Sequence, residues 1–134
     1  MIKVFLSLPM NGLEDDEIQA NIERLEQDII SSHPFGDEEI EFVHNLGYKP
    51  DREHERKTIT PALLYLGNAV QLLADCQAIF MAPDWKKARG CCIEKSVAYN
   101  YDIPIFTKIL HRDGTYGEWR PYGIIREIRK ETTE

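Results

Sequence analysis

In the stretch Ala78 to Thr107, AIFMAPDWKKARGCCIEKSVAYNYDIPIFT, a single carboxylate, Glu94, sits in the first turns of the helix, just past Arg89-Gly90. The stretch reads as a buried strand, a polar loop, a helix from about Gly90 to Tyr101 and a second buried strand. At about 100° per helical residue, Gly90, Ile93, Val97 and Tyr101 share one face, with Glu94 at its edge and Cys92 and Lys95 turned more toward solvent. A carboxylate beside an apolar stripe, at the pocket end of its helix, is partly desolvated and suited to acid, base or nucleophile chemistry. A surface Glu that favours a helix N-terminus fits the same residues.

The neighbours of Glu94 are chemically suggestive. Gly90 permits close backbone approach, and the amides at the helix start, with Arg89 beside them, suit an anionic group such as a 5′-phosphate. Trp85 stacks on a flat base or packs the loop. Lys86 and Lys87 read as solvated charges. Ser7 alternates with Phe5 on the first strand, either touching ligand or sitting as a buried, satisfied hydroxyl. Cys91 at a helix start could be a thiol nucleophile; the alternative is a small residue filling space.

Composition narrows the classes. The 134 residues suit one domain, 1–134. No apolar run approaches the roughly 20 residues that span a bilayer, and the start MIKVFLSLPM is strand-like, so a cytoplasmic protein without membrane partners is expected. The three cysteines form no C-x-x-C pair and the four histidines have no ligand spacing. No metal, disulfide framework or cofactor is expected. A net charge of −7 without a basic stripe argues against a nucleic-acid polymer as partner. It leaves room for a small phosphorylated ligand.

Several elements must position these groups. Ile2 to Leu8 predicts a buried strand, and Pro9-Met10-Asn11-Gly12 a turn. Ile18, Ile22, Leu25 and Ile29 form an apolar stripe on a helix from about Asp15 to Ile30. Glu41 to Leu46 predicts a weaker strand. Gly47 to Lys57 is polar, without apolar period, and reads as a loop that is a lid, a binding loop or mobile. A further helix is predicted with Thr60 as N-cap and Pro61 at its first position, ending near Asp75. Strands at Ala78–Ala82 and Ile103–Thr107 close a core of residues 1–107. The extension 108–134 holds a turn at Arg112-Asp113-Gly114 and a short helix with Ile124, Ile125 and Ile128.

Strands alternating with helices predict an α/β flavodoxin-like (Rossmann-like) three-layer sandwich with a mostly parallel, four- to five-stranded sheet. The first strand is expected between the second and third. Ligands in such sheets bind at the carboxyl ends of the strands, where strand order reverses. That brings the loop Leu8–Asp15, with Pro9, Met10, Asn11 and Gly12, against the loop Pro83–Gly90.

SLPMNGLEDDEI after the first strand, ADC at a helix end, and DWKKARGCCIEKSVAYNYDIPIF resemble the nucleoside 2-deoxyribosyltransferase-like superfamily. The likeness covers roughly residues 1–106 and is nearest to a group of small bacterial and phage proteins with S-G-P-M-T-G and W-x-x-S-R-G-A-x-x-E segments. It implies N-glycosidic bond chemistry on a small (deoxy)nucleoside or its 5′-monophosphate, by hydrolysis or deoxyribosyl transfer. Gly90-Cys91-Cys92-Ile93-Glu94 matches the family's G-x-x-x-E segment, so Glu94 is the implied nucleophile. It also implies a homo-oligomer, a dimer or larger.

Four departures matter. Ala88 stands where relatives carry an Asp, and Gly67-Asn68 stands about where another Asp lies. Leu8 and Asn11 replace a Gly and a Thr of the small-protein group. Asp84, in the same loop as Ala88, is the candidate substitute acid. Arg89 in place of an acid points to an anionic ligand, hence a nucleotide over a nucleoside. Two alternatives remain: a non-catalytic nucleotide-binding module on the same fold, and an interaction protein using the aromatic tail Tyr116, Trp119 and Tyr122.

Overall fold

The computed structural model describes residues 1–123 and residue 128. Ile2–Ser7 forms β1. It leads into α1, Asp15–Ser32, whose buried residues are Ile18, Ile22, Leu25 and Ile29, the predicted stripe. Then come β2 (Ile40–Val43), α2 (Arg52–Lys57), α3 (Ala62–Ala74) and β3 (Ala78–Met81). A single 3₁₀ turn at Trp85–Lys87 precedes α4, Arg89–Asn100. β4 (Ile105–Leu110) and β5 (Tyr116–Pro121) follow.

The strands form one sheet in the order β2-β1-β3-β4-β5, parallel except for the β4–β5 hairpin. This is a flavodoxin-like α/β sandwich. Strand alternation divides its core into two layers. Val4, Leu6, Ala78 and Phe80 pack against α1. Phe5, Ile79 and Met81 pack against Ala69 and Leu73 of α3 and Ala98 of α4. Among the described residues no helix is long and apolar enough to cross a membrane.

Three expectations change. The polar segment 47–57 contains a helix: Asp51 caps α2 by accepting from the His54 backbone N–H at 3.0 Å. It is tied to α3, because the Tyr65 hydroxyl donates to Glu55 at 2.8 Å and Tyr48 packs edge-on against Tyr65. Such a short helix has no apolar period, which is why a periodicity argument passes over it. The helix after it starts at Ala62 with Pro61, rather than Thr60, in the cap position.

The third change is β5. The strand carries Trp119 inward between the exposed Glu118 and Arg120, a two-residue alternation short enough to read as an aromatic tail. β4 continues through residue 107 to Leu110, so the hairpin belongs to the sheet. The turn at Arg112-Asp113-Gly114 joins its strands, with the Gly114 N–H bonded to the His111 carbonyl at 3.0 Å. The helix expected around Ile124 and Ile125 lies outside the described residues; Ile128 packs on the α1-side core.

Asp28 of α1 holds this hairpin. It accepts from the Trp119 indole N–H at 3.1 Å and pairs with Lys108, whose side chain is only 16% exposed. Trp119 in turn lies edge-on to Phe80, which stacks on Phe106 with centroids 4.6 Å apart. Asp28→Ala strips a partner from an indole and from a largely buried ammonium together. It is expected to cost about 1–3 kcal/mol in urea unfolding; a loss below about 0.5 kcal/mol, the range of neutral surface changes, would show that Asp28 does not anchor the hairpin.

Candidate active site

Ser7 is the last residue of β1, on the face toward α3 and α4, and it is 1% exposed. Register places it beside Met81, and the Ala82 N–H donates to the Ser7 carbonyl at 2.8 Å. The ends of β1 and β3 are thus pinned together. Above them runs α4, and its inward face differs from the one the helical wheel suggested. Cys91 and Ala98 are buried, whereas Ile93 is 36% exposed and Tyr101 71% exposed. Small side chains let the helix approach the sheet closely, and a wheel weighted by apolarity misses that. Glu94, three residues after Cys91 and four before Ala98, therefore belongs to the inward face itself.

The two meet. The Ser7 hydroxyl donates to Glu94 Oε1 at 2.6 Å, across 87 positions of sequence. Burial pushes the Glu94 carboxyl up from its ordinary 4.5 to about 7, with the Ser7 hydrogen bond pulling the other way. Desolvation wins because Glu94 sits in the second turn of α4, beyond the first turn where the helix dipole favours an anion. The Cys91 thiol, also hydrogen-bonded to Ser7, is pushed by burial to about 12. At neutral pH it is a protonated, packed thiol, which excludes the nucleophile reading and supports the space-filling one.

Two of the other expected residues line a cavity whose lining residues do not include this pair. Pro9 and Asp84 line a cavity of about 360 Å³ at the carboxyl ends of β1 and β3, so the loops Leu8–Asp15 and Pro83–Gly90 do share one crevice. Met10 packs against the α1-side core, and its carbonyl accepts from the Leu13 N–H at 3.2 Å. That turn needs Gly12, whose φ of +81° suits glycine; Asn11 and Gly12 are exposed. Arg89 and Gly90 are exposed at the start of α4, and open space surrounds the position a Gly90 Cβ would take. Ala88 occupies the cap position, where its side chain can make no capping bond.

Trp85 packs on the α4-side core, and the Lys95 ammonium lies 5.0 Å from its ring centroid and 3.4 Å from that of Tyr122. Lys95, read from the wheel as solvent-facing, thus bridges the loop to the end of β5 by cation–π contact. The cavity also contains groups that motif reading missed: Asn21, Arg24 and Asp28 from α1. Their spacing of three and four puts them on one helical face beside the apolar stripe, a signal legible only once the cavity is known to lie there. His44, partly buried, accepts from the Leu46 N–H at 3.3 Å, and burial lowers its pKa, which makes it a neutral structural residue. A larger, more open hollow of about 610 Å³ lies at the amino ends of the strands, beside Met1 and Glu38, away from Ser7 and Glu94.

No family model matches the chain, and no curated protein and no solved structure matches it.

The raised Glu94 pKa is also a statement about stability. Between pH 4.5 and about 7 the folded protein binds a proton at Glu94 that the unfolded chain has released, so stability falls as pH rises through that window. At about 1.36 kcal/mol per pH unit the cost above pH 7 is about 3 kcal/mol. Glu94→Gln keeps an acceptor for Ser7 and removes the buried charge. Its stability relative to wild type is expected to be near zero at pH 4 and to grow to about 2–3 kcal/mol at pH 8.5, read from urea midpoints. A difference that stays flat with pH would show that Glu94 is not desolvated.

Proposed function

We propose that this chain is a cytoplasmic enzyme of N-glycosidic bond chemistry acting on a small (deoxy)nucleoside 5′-monophosphate or nucleoside, with Glu94 as nucleophile. The observation that carries the reading is the Ser7–Glu94 pair, 2.6 Å apart on a partly buried carboxylate, at the carboxyl end of β1. Ser7 holds Oε1 and orients the carboxylate so that Oε2 attacks C1′. The C1′–N bond breaks, and its electron pair leaves with the base, which takes a proton from Asp84 at the cavity wall. Water then attacks C1′ of the glycosyl ester, releasing the Glu94 carboxylate and returning a proton to Asp84; a second base in place of water gives transfer. The exposed start of α4, with Arg89, is where a 5′-phosphate would sit.

One observation favours a second reading, a nucleotide-binding module without turnover. Asn68, about where relatives have an Asp, donates to the Asn45 side chain at 2.5 Å, and Asn45 donates to the Tyr65 carbonyl. That position serves packing between the β2–α2 segment and α3. Self-association is part of both readings. α3 carries no charged residue over Ala62–Ala74, its Leu63 is 59% exposed and Ile59 ahead of it 98% exposed, a surface suited to a second copy.

Incubation with ribo- and deoxynucleoside 5′-monophosphates and nucleosides, with free base followed by chromatography, tests the enzyme. Base release should fall at least about a thousandfold in Glu94→Gln. Tight binding without release in either protein would leave only the binding module. Because the attacking form is the carboxylate, kcat/KM should show a rising limb with pH centred near 7. Ser7→Ala removes the bond that favours the ionised form, so its rising limb should move to higher pH; an unmoved limb would mean that Ser7 does not act on Glu94.

A further inference from the structure

Ser7 does not meet Glu94 alone. Its hydroxyl also shares a hydrogen bond with the Cys91 thiol. Cys91 and Glu94 are one turn apart on the inward face of α4, so both side chains reach Ser7 from the same helix. Ser7 is 1% and Cys91 3% exposed, so bulk water does not supply their partners. The adjacent Cys92 is exposed, with its sulfur 3.9 Å from the Trp85 carbonyl oxygen, and takes no part.

The proton count fixes the direction of these bonds. A hydroxyl has one proton to donate and two lone pairs with which to accept. Ionised Glu94 has no proton, so Ser7 gives its only one to Oε1. The bond between Ser7 and Cys91 must then run from the sulfur, with S–H donating to Ser7 Oγ. Burial keeps Cys91 a thiol up to about pH 12, so this donor is present whatever the charge on Glu94. A hydroxyl that accepts is a stronger donor, because hydrogen bonds in a chain polarise one another. When Glu94 is protonated it can itself donate to Ser7, and the Ser7 proton turns to the sulfur, a weak acceptor. The chain from Cys91 through Ser7 therefore favours the ionised carboxylate.

The surrounding charges do not compete for this role. α3 and β3 carry none. Asp84, Lys86 and Lys87 belong to the exposed loop before α4. Lys108 of β4 is paired with Asp28, and Lys3 of β1 with Glu41. On α4 itself Arg89 is exposed, and Lys95 lies over the Trp85 and Tyr122 rings. Burial and the Ser7 bond are what move the Glu94 carboxyl. We propose that Cys91 is a positioning residue, whose S–H aims the Ser7 proton at Glu94 and so stabilises the carboxylate. The proposal deepens the nucleophile reading above; only its consequence for catalysis rests on that reading.

Carboxyl ¹³C NMR on protein labelled in its glutamates follows this ionisation without any nucleotide. Glu94 is assigned as the resonance that Glu94→Gln lacks. Cys91→Ala is expected to lower the Glu94 ionisation constant about two- to fourfold, since losing the polarising donor weakens a charge-assisted bond by a fraction of its strength. Cys91→Val, which fills the space without a donor, should act in the same direction. Cys91→Ser keeps an O–H donor and should return the constant to the wild-type value or above. In a Ser7→Ala background Cys91→Ala should change nothing, because the effect travels through Ser7. A Cys91 that acted only by packing would move Glu94 equally in both backgrounds. That result, or an unmoved or raised constant in both donorless variants, would overturn the proposal. The shift without base release from the wild type keeps the positioning role and removes the glycosidase. Glu94-dependent base release without the shift does the reverse.

Discussion

The hydrogen bond from Ser7 to Glu94 is the contact on which the geometry of the crevice depends. It joins the end of β1 to the inward face of α4, so the carboxylate is held where two strands stop and two loops begin. It is a costly arrangement. A lone hydroxyl offsets only part of the desolvation of a carboxylate, and the carboxyl is left near neutrality, where either protonation state is accessible. A fold optimised for stability alone would put a neutral side chain here. Perturbed carboxyls in clefts are where acid, base and nucleophile work is found.

The rest of the molecule supports that contact from two sides. On one face, α3 and α4 bury Phe5, Ile79 and Met81, with Cys91 and Ala98 small enough to bring α4 close. On the other, α1 covers Val4, Leu6 and Phe80 and holds the β4–β5 hairpin through Asp28. The same helix supplies Asn21, Arg24 and Asp28 to the wall of the cavity. The crevice is bounded by α1 and by the ends of β1 and β3, where Pro9 and Asp84 come together. Lys95, over the Trp85 and Tyr122 rings, ties the α4-side loop to the end of β5.

The resemblance to deoxyribosyltransferases and the geometry bear on different questions. The resemblance supplies a reaction class through a G-x-x-x-E segment and says little about the base, because its expected carboxylate partners are replaced by Ala88 and Asn68. The geometry shows a partly buried, oriented carboxylate and, at the ends of β1 and β3, a cavity walled by α1.

By itself the sequence determined the sheet and its switch point. Short apolar runs at residues 2–8 and 78–82, alternating with a four-three-four stripe in α1, leave few ways to bury their apolar surface, and right-handed crossovers select among them. It also marked Glu94, Ser7 and both loops of the crevice as candidates. Tertiary structure decided what local patterns do not encode. The inward face of α4 depends on close approach through Cys91 and Ala98, not on where its larger apolar residues lie. Segment 47–57 is helical because Asp51 caps it and Tyr65 holds it, and neither produces a hydrophobic period. The β5 strand exists because Trp119 finds Asp28 across 91 positions. The pairing of Ser7 with Glu94 likewise joins residues whose proximity arises only when β1 and α4 are packed together, since periodicity records which side chains seek the interior and not which of them meet there.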